Sequence, residues 1–284
     1  MTPPDSLLHH REHVLPYYRR LESRLGFVLL LGRTRHFGWY EPGQSPWRFS
    51  AALRRMETVL ARKLALPAGS KILDVGCGVG DVARTVARAT GAEVTGVDCI
   101  PADISRARRR TARASGPARA TRFLAADFHD LPFDDGFFDG LYAVESFCHS
   151  AHPEKALAEF SRVLKPGGRL VIFDPSRAPD STLPPEDVTL LRTVAEKVGV
   201  PSTLPHGRLE ELLRDAGFTV DSVTDATPHM LPMVRALAKL CRVPYALARS
   251  VGRGSALINA MFLVEAYRRQ DLWRYGIHVA TKGK

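Results

Sequence analysis

Glu145, Cys148, His149 and His152 fall within one short stretch, LYAVESFCHSAHP, directly behind an apolar run. An acid, a thiol and two imidazoles at that spacing can form an active-site edge, a metal site or an ordinary polar loop. Cys148 and His149 are adjacent and lack a second pair at ligand spacing, so no metal is expected. A second constellation lies upstream. Gly76, Gly78 and Gly80 alternate in DVGCGVG between an apolar run and a helical pattern, which lets backbone pass close to a ligand and offers the N–H groups of a helix start. Asp74 precedes these glycines, Asp98 closes AEVTGVD and Asp127 closes TRFLAAD. A carboxylate at the position of Asp98 can accept both hydroxyls of a ribose, and Asp127, one strand further on, can take an adenine amino group. Singly, each acid also reads as a cap or turn former.

These residues need a scaffold that brings several strand ends together, and the text from residue 71 onward supplies one. KILDVG, AEVTGVD, TRFLAAD, GFFDGLYAVES and RLVIFDP read as strands. DVARTVARATG, IPADISRARRRTARA and PEKALAEFSRVLKPGG read as the helices between them. Strands alternating with helices require right-handed crossovers and a mostly parallel sheet covered on both faces, a doubly wound α/β fold. RLEELLRDAGFTVDSVTDAT resumes the alternation, and WRYGIHVATKGK offers a last short strand. The expected division is a helical cap or lid over 1–66 and the main domain over 67–284, with helical insertions at about 176–206 and 228–270. The caps are expected to meet over the carboxyl edge of the sheet, where open α/β sheets bind ligands.

Composition narrows the class. The chain of 284 residues is 45% hydrophobic and 25% charged, ordinary for a globular protein. No apolar run is long enough for a membrane span, and the N-terminus lacks the pattern of a secretory signal, so a cytoplasmic location is expected. Cys77, Cys99, Cys148 and Cys241 are scattered, which suits reduced thiols better than a disulfide frame. The net charge of +10 is concentrated in SRARRRTARASGPARATR. Arg106, Arg109, Arg110 and Arg113 space as one solvated helix face with no aromatic residue to stack bases, so no nucleic-acid partner is expected.

Through ILDVGCGVG, VTGVD, AADFHDLPFDDGFFD and RVLKPGGRLVIFD, about 69 to 175, the chain resembles the class I S-adenosylmethionine-dependent methyltransferases. The resemblance implies a Rossmann-like domain and S-adenosyl-L-methionine as cofactor. Gly76 and Gly78 would pack on its methionine part, with Asp74 and Gly80 in the same loop. Asp98 would bind the ribose, and Asp127 with Phe128 the adenine. A nicotinamide cofactor fits worse, since the third glycine follows Gly78 at the second position instead of the third. The resemblance also sets Glu145, Ser146, Cys148 and His149 at the fourth strand end, facing the acceptor or the methionine end.

VESFCHSAHPEK is similar to a stretch of sterol C-methyltransferases, and its Glu-Ser to prenyl-diphosphate C-methyltransferases. Carried over, Glu145 is the base that removes a proton after methylation of a double bond. HFGWYEPGQSPW is similar to their aromatic segment, which makes Trp39, Tyr40 and Trp47 candidates for the acceptor pocket. Sugar and polyketide O-methyltransferases carry a similar stretch in which the histidine is the natural base, and there His149 would activate a hydroxyl or amine. The Met-, Leu- and aromatic-rich segments late in the chain tilt the expectation to a small lipophilic acceptor, although core packing explains them too. An RNA methyltransferase and a non-catalytic cofactor binder are the opposing classes. A homo-oligomer stays open. His36, His206 and His229 are expected to be surface or capped core histidines rather than acceptor-site groups, and Tyr17 and Tyr18 read equally as staples that hold the first helix on the domain.

Overall fold

A computed structural model describes residues 36–198, 200, 203–252 and 257–284. Tyr17, Tyr18 and the first 35 residues of the expected cap lie outside the described residues. The elements follow in chain order as α1 (Phe49–Leu64), β1 (Lys71–Val75), α2 (Asp81–Thr90), β2 (Glu93–Asp98), α3 (Pro101–Thr111), β3 (Arg122–Ala125) and β4 (Phe138–Val144). They continue as α4 (Pro153–Val163), β5 (Leu164–Arg177), α5 (Pro185–Val198), α6 (Arg208–Asp215), β6 (Phe218–Asp225), α7 (Thr227–Ser250), α8 (Ile258–Arg268) and β7 (Trp273–Lys282).

The seven strands form one sheet in the order β3-β2-β1-β4-β5-β7-β6. Strands β1 to β5 pair in parallel, while β7 runs antiparallel between β5 and β6. The mostly parallel, doubly wound sheet is the architecture expected from the alternation of strands and helices. Its winding reverses between β1 and β4, the crevice where such sheets take ligands. Antiparallel β7 has a second consequence. It sets its first residues beside the last of β5, with Trp273 opposite Arg177 and Tyr275 opposite Pro175.

Local chemistry explains where the elements start and stop. Pro101 fits the first turn of α3, where no N–H is needed, and Gly91 ends α2 in the left-handed conformation at φ +70°. The apolar positions of α1 bury Met56, Leu60 and Leu64 into the same core as Ile72, Val94 and Val171. Each such side chain stabilises the fold by about 1.5–3 kcal/mol. The opposite face packs Leu73, Leu141 and Ile172 against Leu157, Phe160 and Leu213.

The basic run has structural uses that its spacing alone does not reveal. Arg108 donates to Phe123 O through both Nε and Nη2, at 2.9 and 2.8 Å. Arg110 reaches both carboxylate oxygens of Asp81, at 2.9 and 2.7 Å, and Arg106 pairs with Asp103. These bonds tie α3 to β3 and α2, so only part of the run is a simply solvated face.

Candidate active site

The glycine loop and the end of β4 meet at the switch point. Gly76 lies at φ +76°, and a Cβ there would stand 2.3 Å from Ser146 Cβ. Ser146 is fixed in turn by its hydroxyl, which donates to Val75 O at 2.6 Å. Further along the loop the Gly78 N–H donates to Asp98 Oδ2 at 2.9 Å, and Ile100 N–H donates to Oδ1 at 2.8 Å. Asp98 is thereby held at the end of β2, beside the loop. Gly80 has a different use. Its φ is +75° and an added Cβ would meet the Phe123 ring at 2.4 Å, so this glycine seats the start of α2 against β3.

Asp74 is 3% exposed, and its Oδ2 has no hydrogen-bond partner among the described residues. Burial pushes its carboxyl up to about 7; the Tyr142 hydroxyl beside it and His36 work against this, and Asp98 adds to it. A buried carboxylate oxygen without a partner among the described residues, next to the glycine loop and a tethered carboxylate, fits a ligand that carries an ammonium group and a diol. One strand further, Asp127 Oδ1 accepts from the His129 backbone N–H at 3.0 Å and lies 2.7 Å from His129 Nδ1. The other ring nitrogen of His129 bonds Ser150 Oγ at 2.7 Å. Phe128 sits between the His129 and Phe160 rings. The three carboxylates, the glycine loop and the Phe128 ring together suit S-adenosylmethionine.

On the other side of β4 lies a cavity of 340 Å³. Leu190, Leu191 and Val194 of α5, Met230, Val234 and Leu237 of α7, and Phe262 and Ala266 of α8 form its apolar wall. Phe37, Trp273 and Tyr275 add aromatic surface, Phe37 and Tyr275 meeting edge to face at 6.4 Å. Arg177 and Asp180, which pair with each other, and Arg269, which pairs with Asp187, add charged groups to its lining.

Glu145 lines this cavity at the end of β4. Its backbone sits at φ +51°, a conformation that only a few per cent of non-glycine residues adopt. Two donors converge on Oε1, the Phe37 N–H at 2.7 Å and the Tyr275 hydroxyl at 2.8 Å. Burial raises its carboxyl to about 6, while His36, the Phe37 N–H and the Tyr275 hydroxyl hold it down. His149 and Cys148 line the same cavity. Behind them Asp174, 4% exposed, is pushed well above the ordinary carboxylate range by burial. His36 also lines the cavity; burial opposes its charge, but Glu57 and Glu145 leave its pKa raised overall.

The expected aromatic trio is placed elsewhere. Trp39 stacks on His229 with ring centroids 3.6 Å apart. Tyr40 is 2% exposed, packed with Leu53 and Leu237, and its hydroxyl donates to Pro46 O. Trp47 is 51% exposed. None of the three lines the cavity. The segment bends where Gly38 presses on Ala52, whose Cβ would lie 2.6 Å from a Cβ at 38, so His36 and Phe37 face inward and Trp39 and Tyr40 face other partners. His206 bonds Ser176 Oγ at 2.8 Å, away from this cavity. Sequence reasoning missed Phe37 and Tyr275, whose places depend on long-range pairing. None of the four cysteines is joined in a disulfide, and among the described residues no group of side chains suits a metal ion and no helix is long and apolar enough to cross a membrane.

The buried carboxyls set a pH dependence. Asp74 and Glu145 bind their protons more tightly in the folded chain than in the unfolded one, so between about pH 4 and about pH 7 the native state holds more protons and stability falls as pH rises. The raised pKa of His36 acts in the same direction. The cofactor-free protein is expected to lose roughly 5 °C of thermal midpoint between about pH 5 and about pH 8. Asp74→Asn should flatten that slope, and an unchanged slope in a calorimetric scan would show that Asp74 is not held protonated.

Residues 73–172 match the family model described as a methyltransferase domain. The chain is 36% identical over 274 residues, 94% of its length and 93% of the relative's, to the S-adenosyl-L-methionine-dependent Diels-Alderase iccD of Talaromyces variabilis. It is 36% identical over 72% of its length, and 71% of the relative's, to the O-methyltransferase cnsE of Penicillium expansum. Among solved structures, the cyclopropane synthase MmaA2 from Mycobacterium tuberculosis superposes with a TM-score of 0.80 at 18% identity, covering 99% of both chains. With its glycine loop, tethered strand-end acid and seven-stranded sheet, the chain belongs to the S-adenosylmethionine-dependent methyltransferases, and S-adenosylmethionine is its cofactor.

Proposed function

We propose that the protein methylates carbon in a small lipophilic acceptor of the terpenoid, sterol-like or polyketide class, bound in the 340 Å³ cavity. One observation carries this reading: a carboxyl with a pKa of about 6, anchored through one oxygen, borders an apolar and aromatic chamber. Asp74 is assigned to the cofactor's ammonium group, Asp98 to its ribose, Asp127 with Phe128 to its adenine, and Gly76 and Gly78 to the backbone approach that lets it bind.

When bound, S-adenosylmethionine supplies an electrophilic methyl group. The chain's own residues must then align the acceptor, exclude water and manage charge. Methylation of a double bond leaves a positive charge on the neighbouring carbon, and the faces of Phe37, Trp273 and Tyr275 stabilise it. Glu145 takes the proton from the adjacent carbon, and the electrons of that C–H bond become the new double bond. The Tyr275 hydroxyl and the Phe37 N–H hold the carboxylate in place, and the ordinary range for carboxylate bases near neutral pH includes a value of about 6.

Two observations favour other chemistry in the same cavity. His149 lines it beside Glu145, which suits proton removal from a hydroxyl or amine. The full-length relative named as a Diels-Alderase favours ring closure of a folded polyene, with the cofactor bound and its methyl retained. Incubation with methyl-labelled cofactor and pools of terpenoids, sterols, polyketides and glycosides separates the three. Label on carbon supports the proposal. Label on oxygen or nitrogen replaces it with the His149 reading, and an unlabelled product isomeric with its acceptor replaces it with ring closure.

A further inference from the structure

Helix α7 contains no acidic residue between Thr227 and Ser250, and one of its faces is apolar along its whole length. Upstream that face is buried, with Met233 and Leu237 packed on Tyr40, Ala52 and Leu53. Downstream it continues through Leu240, Val243 and Leu247 to Val251 just past the helix end, at exposures of 46%, 65%, 65% and 69%. Steps of three and four residues stack these side chains on one side. Four large apolar groups in a row differ from singly scattered surface hydrophobics and mark an interaction site.

Cations flank the stripe. Arg235, Lys239, Arg242 and Arg249 are exposed, and none pairs with a carboxylate among the described residues. Lys239, Arg242 and Arg249 join Arg268 of α8 around a groove that also presents Tyr245 and Tyr267. An apolar stripe with a basic margin beside it, and tyrosines among the cations, belong to the pattern of a helix lying in a membrane interface.

We propose that the C-terminal half of α7, with the groove it shares with α8, docks on an anionic phospholipid surface. The apolar side chains enter the boundary between headgroups and acyl chains, and the groove cations meet lipid phosphates. Charge complementarity selects this occupant. A second copy would bring a +10 chain and a matching basic margin against this one, and a nucleic acid would use the cations while leaving the apolar stripe in water. The opposite halves of the surface connect to the site: Met230 and Val234 of α7 and Phe262 and Ala266 of α8 line the acceptor cavity. Docking thus sets the cavity's helical wall against the phase into which a lipophilic acceptor partitions. The inference does not depend on whether carbon, oxygen or no atom is methylated.

Cosedimentation of the full chain with phosphatidylcholine vesicles, with and without phosphatidylglycerol, tests it. Binding is expected on the phosphatidylglycerol vesicles, with little on phosphatidylcholine alone, and should weaken about tenfold or more as salt is raised. Leu247→Glu with Val243→Glu, and separately Lys239→Glu with Arg242→Glu, should each lower vesicle affinity at least about tenfold while thermal midpoint and S-adenosylhomocysteine affinity stay unchanged. Absence of vesicle binding, or binding that neither pair of substitutions weakens, overturns the proposal. A dimer in solution that Leu247→Glu dissociates would reassign the face to contacts between copies. RNA that displaces the protein from vesicles and binds more tightly would reassign the groove to nucleic acid.

Discussion

Glu145→Gln is expected to lower methyl transfer to the acceptor about 10³-fold, within the range supplied by a positioned general base, while cofactor affinity stays within about threefold. The reason for choosing glutamine lies in the hydrogen bonds. Phe37 N–H and Tyr275 O–H both donate to one oxygen of Glu145, and an amide keeps an oxygen able to accept both. The substitution removes the ionisable carboxylate and leaves the anchoring in place. In the wild type the rate should rise about tenfold per pH unit at low pH and level off above about pH 6, because the carboxylate must be ionised to accept a proton and its pKa lies at about 6. His36→Gln removes a group that holds that pKa down, so the rising limb should move to higher pH. Steady-state rates with labelled cofactor across the pH range check all three statements. A Glu145→Gln protein that retains its rate would exclude the carboxylate as base, and loss of activity in His149→Gln would then assign proton removal to the imidazole.

The second large effect is structural. Gly76→Ala should destabilise the protein by about 3 kcal/mol, combining the cost of a left-handed backbone for an L-residue with that of overpacking. An added Cβ stands 2.3 Å from Ser146 Cβ and 2.8 Å from Ser146 Oγ. Ser146 cannot simply swing away, because its hydroxyl is bonded to Val75 O at 2.6 Å. The shift in thermal midpoint should be roughly 5–10 °C, with cofactor affinity falling as the loop and the end of β4 are forced apart. Gly167→Ala is the control. Its φ of +74° is similar but nothing lies within 4 Å of the added Cβ, so it should cost only about 1 kcal/mol. Adding Ser146→Gly to Gly76→Ala should recover the contact part, leaving the backbone part, and a double-mutant cycle on midpoints measures the split. Equal destabilisation by Gly76→Ala and Gly167→Ala would show that the contact contributes nothing.

The sequence by itself determined the alternation of strands and helices, because burial on two faces writes continuous apolar runs and burial on one face writes a helical period. It also determined the loop of alternating glycines and the acids at successive strand ends, since each is local: Gly76 must take a positive φ, and Asp98 follows directly from where β2 stops. With those features came the family and its cofactor. The tertiary structure decided the walls of the cavity beside Glu145. The segment carrying Trp39, Tyr40 and Trp47 has an aromatic composition that suits a pocket, yet the close approach of Gly38 to α1 turns Phe37 inward and leaves Tyr40 in the core. Tyr275 reads locally as one residue of a last strand. It reaches Glu145, 130 positions earlier, only because β7 enters the sheet antiparallel beside β5, which brings the start of one strand to the end of another. Glu145 owes its raised pKa to burial under helices distant in sequence and its anchoring to Phe37 and Tyr275. Local pattern follows from each residue's immediate neighbours, whereas a cavity wall, a hydrogen bond between remote strands and a desolvated carboxyl exist only once the whole sheet edge has assembled.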